Sequence, residues 1–165
     1  MLLTGTYYRT LDDKHRFAIP KRIRHALGYP DKAVISLSPG TDGSLALYTE
    51  DGFSSLGDQL GQGPPTGQDV RAFSRLFYAQ AQLLEIDRQG RMRVPMELAQ
   101  YAGLHKDVVL IGVRDHLEIW DRGKWDQYLA KMQPHYDQIA ESAFGGPDAA
   151  EEAKGGPSRK MTVAE

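Results

Sequence analysis

The sequence has no cysteine and no long hydrophobic run. The absence of cysteine excludes disulfides and thiolate metal sites. No apolar segment approaches the roughly 20 residues that a membrane-spanning helix needs, and the first residues lack the basic and apolar regions of a signal peptide. We therefore expect no membrane partner and a cytoplasmic location.

Signatures of enzyme active sites are absent as well. The sequence contains no Gly-x-Ser-x-Gly elbow and no glycine-rich phosphate loop that ends in Lys-Ser or Lys-Thr. We therefore expect no enzymatic activity, no catalytic residue, no cofactor and no metal. The histidines lack the paired spacing with a carboxylate that is typical of metal sites; they are His15, His25, His105, His116 and His135.

What the sequence does contain is one motif twice. Residues 11–20, Leu-Asp-Asp-Lys-His-Arg-Phe-Ala-Ile-Pro, return 75 positions later as residues 86–95, Ile-Asp-Arg-Gln-Gly-Arg-Met-Arg-Val-Pro. Two copies of one small unit are therefore predicted. Since each copy spans only about 45 residues, the two should pack together to complete a core. Beyond the proline we align 33–35 with 108–110 and 45–48 with 117–120.

Positive charge is concentrated on the repeated motif. Residues 12–25 carry five basic against two acidic side chains, a net charge of +3, and residues 87–93 carry three against one, a net charge of +2. Because the whole chain has a net charge of −2, the remainder carries −7. A local basic patch attracts polyanions even when the overall charge is unfavourable. A solvated surface is the alternative for one such run, but repetition at matched positions favours binding.

The hydrophobic pattern and the turn residues predict an α+β fold that is mainly β. Each copy has the order strand, turn, strand, short helix, strand, strand, and the turn is predicted to join its flanking strands in a hairpin. Residues 61–67 are rich in glycine and proline and form a flexible break that helices do not cross. The predicted strands are 6–11, 16–19, 32–37, 45–48, 83–86, 91–94, 107–113 and 116–120; the predicted helices are 21–27, 69–82, 95–102 and 123–132, with a further helical segment after Pro134.

Alternation along the strand after each turn predicts where the arginines point. In the second copy Met92 faces the core, so Arg91 and Arg93 share the outward face. In the first copy Arg16 lies outward beside Ala18. The planar guanidinium fork binds phosphates and guanine edges with two hydrogen bonds. The two sites are therefore predicted to bind a polyanion with different strengths.

Each motif begins with an aspartate, whose charge disfavours contact with phosphate. We expect Asp12 and Asp87 to cap turn amides or to orient the arginine of the same motif. An internal ion pair without any DNA contact is the alternative for the arginines. Gly90 adopts a positive φ at its turn easily, whereas His15 does so less readily. His15 is therefore expected either to bend the first turn or to add a pH-sensitive contact.

These residues resemble the MraZ family. The resemblance covers about residues 1–130 and rests on the doubled motif, with further matches at 101–104, 108–112 and 118–120. It implies two AbrB-like (SpoVT-AbrB) swapped-hairpin units in one chain, packed together as a pseudo-symmetric pair. It also implies a transcriptional regulator of the division and cell-wall gene cluster. Such a regulator assembles into a homo-oligomeric ring and binds tandem direct repeats in double-stranded DNA upstream of its own operon.

In that family the turns face DNA, which implies the same for the matching residues here. Repression is the expected sign because an occupied promoter excludes polymerase, and association with the nucleoid is expected as well. The family usually has glycine where this chain has His15. The expected DNA-binding residues are Lys14, Arg16, Arg91 and Arg93; Asp12 and Asp87 are expected to orient the motifs, and His15, Arg22 and Arg88 are further candidates for contact.

A different class of function competes with this interpretation: an oligomerisation or interaction module with an acidic protein partner. Salt separates the two, because DNA affinity falls with a slope of roughly −0.9 per phosphate contact, whereas an apolar protein interface is far less sensitive. The predicted organisation is an AbrB-like repeat at 5–50, a linker and helix at 51–81, a second repeat at 82–125, C-terminal helices at 126–144 and a disordered tail at 145–165.

Overall fold

Eight strands and six α-helices occupy the described residues, 1–63 and 66–145, of a computed structural model. The predicted α+β, mainly β class is confirmed. The strands are β1 (Thr6–Thr10), β2 (Arg16–Ala18), β3 (Val34–Pro39), β4 (Leu45–Thr49), β5 (Gln82–Glu85), β6 (Arg91–Arg93), β7 (Asp107–Gly112) and β8 (Leu117–Asp121). The helices are α1 (Lys21–Ala26), α2 (Glu50–Gly61), α3 (Gln68–Gln80), α4 (Met96–Tyr101), α5 (Arg122–Met132) and α6 (Tyr136–Phe144), with a 3-10 turn at Gln133–His135.

The strands form one six-stranded sheet and a separate two-stranded ribbon. The sheet has the order β1-β7-β8-β4-β3-β5, the ribbon pairs β2 with β6, and every pair is antiparallel. The predicted hairpin across each turn is therefore wrong. The turn reverses the chain, but β1 pairs over its whole length with β7, whereas the three residues of β2 pair with β6.

The strand order reads the same when the two repeats are exchanged. β1 corresponds to β5, β7 to β3 and β8 to β4, so the exchange maps the sheet onto itself. In the ribbon, Phe17 lies opposite Met92, its own counterpart 75 positions later. Of the six ladders in the described residues, four join one repeat to the other: β1–β7, β2–β6, β3–β5 and β4–β8.

The alignment of the repeats shifts by two residues after the short helix. Leu11 N donates to Lys106 O, and its counterpart Ile86 N donates to Ala33 O, both at 2.8 Å. Ala33 therefore corresponds to Lys106, and the predicted alignment of Ala33 with Val108 is wrong. The loop after α1 is longer than the loop after α4, and the similar apolar residues of β3 and β7 conceal the shift.

One hydrophobic cluster joins the sheet, the ribbon and the two short helices. Phe17 and Met92, on the inner face of the ribbon, are 2% and 1% exposed. Burying a side chain of this size contributes about 1.5–3 kcal/mol. The inner face therefore anchors the ribbon, and its other face is left for solvent. Other members of the cluster are Ile23, Leu37, Leu47, Val94, Leu98, Leu110 and Ile119.

The predicted elements agree with the structure to within two residues at each end, and α2 is the helix that was not predicted. The break at 61–67 lies between the end of α2 and the start of α3, with residues 64 and 65 outside the described part. The predicted tail at 145–165 lies, beyond Gly145, outside the described residues too.

The chain divides into two compact units, Met1–Trp125 and a second that begins at Asp126. Both repeated motifs belong to the first unit. None of the described helices is both long enough and apolar enough to cross a membrane.

Candidate nucleic-acid interface

One carboxylate holds the first Asp-x-x-x-Arg turn. Asp12 Oδ1 accepts hydrogen bonds from Lys14 N and Arg16 N, both at 2.9 Å, and Asp12 Oδ2 accepts one from Arg16 Nε at 2.8 Å. The hydrogen bond from the backbone of Arg16 is the largest influence on the pKa of Asp12, and together these bonds hold it below its usual value. Asp12 therefore fixes the turn and orients the arginine at once.

The second turn repeats this arrangement. Asp87 Oδ1 accepts hydrogen bonds from Gln89 N and Arg91 N at 2.9 Å, and Asp87 Oδ2 accepts one from Arg91 Nε at 3.0 Å. Desolvation raises the pKa of Asp87, but the hydrogen bonds from Arg91 and Gln89 outweigh it, so the pKa lies below its usual value. The side chains of Arg16 and Arg91 are equally exposed, at 29%.

His15 takes the same left-handed conformation as its counterpart Gly90. Their φ angles are 57° and 75°, and the N–H of each donates to the carbonyl of the motif's aspartate at 2.9 Å. The expectation that His15 bends the first turn is therefore wrong. A left-handed residue with a side chain costs about 1–2 kcal/mol, and the bonds to Asp12 hold His15 there.

The ribbon brings the two turns together. Arg16 lies opposite Arg93, and Ala18 lies opposite Arg91, with a buried pair between them. All four face outward, as the alternation predicted, and are half-buried or exposed. Arg93 Nε also donates to Lys14 O at 3.0 Å. An arginine of the second repeat is thus bonded to the turn of the first.

An open cavity of about 300 Å³ is lined by basic side chains from both motifs. Its four basic and two acidic side chains give a net charge of +2, although the whole chain carries −2. The structure thus brings together the residues that the two motifs contribute separately. The lining consists of Lys14, Arg16, Arg91 and Arg93, together with Glu85 and Asp87.

Three arginines of the ribbon have N–H groups that are available to a ligand. Arg16, Arg91 and Arg93 each use Nε for a protein oxygen, and no hydrogen bond from their terminal nitrogens is found within the described residues. Arg16 and Arg93 are direct cross-strand neighbours, where like charges are destabilising. Guanidinium groups held close together in this way are suited to bind an anion, which would relieve their repulsion.

The further candidates do not line this cavity. Arg22 on α1 and Arg88 in the second turn are exposed, and His15 is half-buried. Sequence reasoning missed Tyr29, whose hydroxyl donates to Asp87 O at 2.9 Å across 58 positions of sequence. Among the described residues, no group of three or more His, Asp or Glu side chains is placed to hold a metal ion.

Comparison with known proteins identifies the family. Residues 77–145 match the family model described as "MraZ protein, putative antitoxin-like". The protein named Transcriptional regulator MraZ from Syntrophomonas wolfei is 38% identical over 141 residues, which cover 86% of this chain and 96% of the relative. The chain belongs to the MraZ family.

Two further MraZ relatives agree. The Transcriptional regulator MraZ of Moorella thermoacetica is 40% identical over 140 residues, 85% of this chain and 95% of the relative. That of Acetivibrio thermocellus is 41% identical over 137 residues, 83% of this chain and 93% of the relative. These alignments are longer than either repeat, so the likeness to MraZ proteins extends over the doubled unit. The resemblance predicted from the motif is confirmed.

Proposed function

We propose that this chain is a sequence-specific DNA-binding transcriptional regulator that represses its own division and cell-wall operon. It binds tandem direct repeats through the two Asp-x-x-x-Arg turns, as an oligomeric ring of AbrB-like units. The observation that carries the proposal is the convergence of both motifs on one ribbon, where Arg16, Arg91 and Arg93 share the outer face. The MraZ relatives are named as transcriptional regulators, which supports the regulatory part of the proposal.

The dimensions of the ribbon suit the major groove of DNA. Each strand has three residues, and at about 3.3 Å per residue the ribbon is about 10 Å long. Its two strands lie about 4.8 Å apart, within the roughly 12 Å width of the major groove, which admits a two-stranded ribbon. Arginines held by their Nε atoms present their terminal nitrogens to guanine edges or phosphates. Lys14, Arg16, Arg91 and Arg93 are the proposed contacts.

A ring of such units gains affinity from multivalency. One ribbon makes few contacts and binds weakly, but several ribbons on one DNA act at a high effective concentration. Several spaced repeats are therefore bound much more tightly than one. Occupying a promoter in this way excludes polymerase, and the bound protein is associated with the nucleoid in the cytoplasm.

Fluorescence anisotropy with DNA from upstream of the protein's own gene tests this proposal. Probes with one and with several repeats are titrated at two salt concentrations. We expect the wild type to prefer the multi-repeat probe and Arg16→Ala/Arg91→Ala to lose binding while it stays folded and oligomeric. Arg75→Ala/Lys131→Ala removes the same charge from exposed positions outside the motifs and is expected to bind like the wild type.

Two results would contradict the proposal. One is a wild type that ignores this DNA at low salt, and the other is an Arg16→Ala/Arg91→Ala variant that binds as well as the control. A partner captured with little dependence on salt would favour the interaction-module alternative, because phosphate contacts steepen the salt dependence by roughly 0.9 each.

A further inference from the structure

The second turn is held from outside its own repeat. Tyr29, in the loop after α1, donates its hydroxyl to Asp87 O at 2.9 Å. The Cζ of Arg24 lies 5.7 Å from the centre of the Tyr29 ring, and its Nη1 lies 3.5 Å from both Gln89 O and Gly90 O. The last two contacts are long for hydrogen bonds, so the tyrosine bond is the stronger part of this arrangement.

The first turn is supported differently. The residue 75 positions after Arg24 is Ala99, which has no side chain beyond Cβ, and the counterpart of Gly90 is His15. A Cβ on Gly90 would collide with the guanidinium of Arg24. A long side chain on the helix thus accompanies a glycine in the turn, whereas a short one accompanies a histidine. The first turn instead receives the bond from Arg93 to its Lys14 carbonyl.

We propose that Arg24 and Tyr29 form a brace that positions the second turn, and with it Arg91, for binding to DNA. Neither residue lines the basic cavity, so both act through the turn as positioning residues. This inference rests on the proposed function. Because one turn is braced from α1 and the other by a ribbon arginine, the two ends of the ribbon are unequal. A ribbon with unequal ends prefers one orientation on an asymmetric DNA site.

Tyr29→Phe tests the brace without changing charge. It removes one hydroxyl and its hydrogen bond to the turn. A hydrogen bond of this kind changes the equilibrium between the ordered and the open turn by about 3- to 10-fold. We expect the affinity for operator DNA to fall by up to that factor, because the bond contributes to affinity only as far as it orders the turn before DNA binds, and the salt slope should be unchanged. Tyr101→Phe is the matched control, because the Tyr101 hydroxyl also donates to a backbone carbonyl, that of Gly40 at 3.0 Å, which belongs to neither turn.

Amide hydrogen exchange measures in the absence of DNA how strongly the brace restrains the second turn. In Tyr29→Phe, exchange of Gln89 N and Arg91 N should accelerate, because both amides are bonded to Asp87 in the turn. Exchange of Lys14 N and Arg16 N, in the first turn, should not change. Tyr101→Phe should leave all four amides as they are in the wild type.

Variants of Arg24 separate positioning from direct contact. Arg24→Lys keeps the charge but loses the planar group over Tyr29, so it should accelerate exchange in the second turn as Arg24→Ala does. A phosphate contact would instead be rescued by lysine, and Arg24→Ala would reduce the salt slope by about 0.9. Lys21→Ala removes one charge from the same helix and should leave exchange in the second turn unchanged.

Three results would overturn the inference. Exchange in the second turn that is unchanged in Tyr29→Phe and Arg24→Ala would show that no brace exists. Faster exchange with unchanged DNA affinity would show that the brace does not serve binding, provided that Arg91→Ala does lose affinity. If the wild type bound no DNA, the proposed function would fail and the positioning role with it, while the exchange data would still show whether the contacts restrain the turn.

Discussion

Replacing Asp87 by asparagine separates two opposing effects on DNA binding. Asp87→Asn keeps the shape of the side chain and an oxygen that can accept from Gln89 N and Arg91 N. If that oxygen keeps these two bonds, however, the atom that faces Arg91 Nε is an amide nitrogen, which cannot accept a hydrogen bond. If the amide is turned the other way, Arg91 Nε faces an uncharged oxygen. The change removes one negative charge from the lining of the cavity, so simple electrostatics predicts tighter binding. Loss of the bond that holds Arg91 Nε in place predicts weaker binding instead.

Magnitudes decide between the two effects. Immobilising a free arginine costs about 1.5–2 kcal/mol of side-chain entropy. If the Nε contact removes about half of that cost in the free protein, its loss weakens binding by about 1 kcal/mol. A carboxylate about 6 Å from a phosphate is repelled by about 0.7 kcal/mol in water, and physiological salt reduces this to about 0.3 kcal/mol. The net loss is about 0.7 kcal/mol, or about threefold in affinity.

The assay is anisotropy with the multi-repeat probe at physiological salt. Asp13→Asn is the charge-matched control, since Asp13 is exposed and neighbours Asp12 in the first turn. It should bind up to about twofold more tightly than the wild type through reduced repulsion alone. Asp87→Asn should bind about threefold more weakly. If Asp87→Asn bound as tightly as Asp13→Asn, the orienting role of the aspartate would be refuted.

Three further predictions concern stability. A Cβ at Gly112 would collide with the backbone of Leu3 and Thr4, so Gly112→Ala should lower the free energy of unfolding, measured by urea denaturation, by about 1–3 kcal/mol. Gly61 has open space around it, and Gly61→Ala should not lower the free energy of unfolding. Met92→Ala, in the core under the ribbon, should cost about 2–5 kcal/mol by the same measurement, and a smaller cost than Gly61→Ala would contradict the packing described. Because both motif aspartates have a folded-state pKa below the usual 3.8, their contribution is complete above about pH 4 and is lost as the pH falls below 3.8. Urea denaturation should therefore show no loss from these groups between pH 5 and pH 8 and a loss on further acidification. The loss should be smaller in Asp12→Asn/Asp87→Asn, where Asp115 and Asp121, whose pKa values are lowered as well, still contribute.

Local pattern was sufficient for the elements and for the outward arginines, because both depend on neighbours in sequence. Alternation around Met92 placed Arg91 and Arg93 on one face, and the structure agrees. Helix α2 was not predicted because Gly52, Gly57 and Gly61 interrupt its helical pattern of apolar residues. Two signals could have found it: Thr49, whose side chain accepts from Gly52 N at 3.0 Å as an N-cap, and the position of the predicted α5 in the other repeat.

The sequence pattern could not predict which strands pair with each other. A turn shows that the chain reverses but not which strand lies beside it, and so the hairpin prediction failed for β1 and β2. The contacts of Tyr29 and Arg24 with the second turn span 58 to 66 positions. No local signal marks residues that meet at such a distance. The two-residue shift between Ala33 and Lys106 was hidden for the same reason, since only the hydrogen bonds between strands reveal it.

The exchange of strands between repeats has a consequence for synthesis of the chain. β1 is translated before its partner β7, which begins about 100 residues later. At about 5–20 residues per second, β1 waits roughly 5 to 20 s for that partner. The ribbon that carries the arginines is likewise incomplete until β6 has emerged from the ribosome. A nascent first repeat therefore lacks the complete ribbon proposed to bind DNA, and a truncated product that stops before β6 should not compete with the complete protein for DNA.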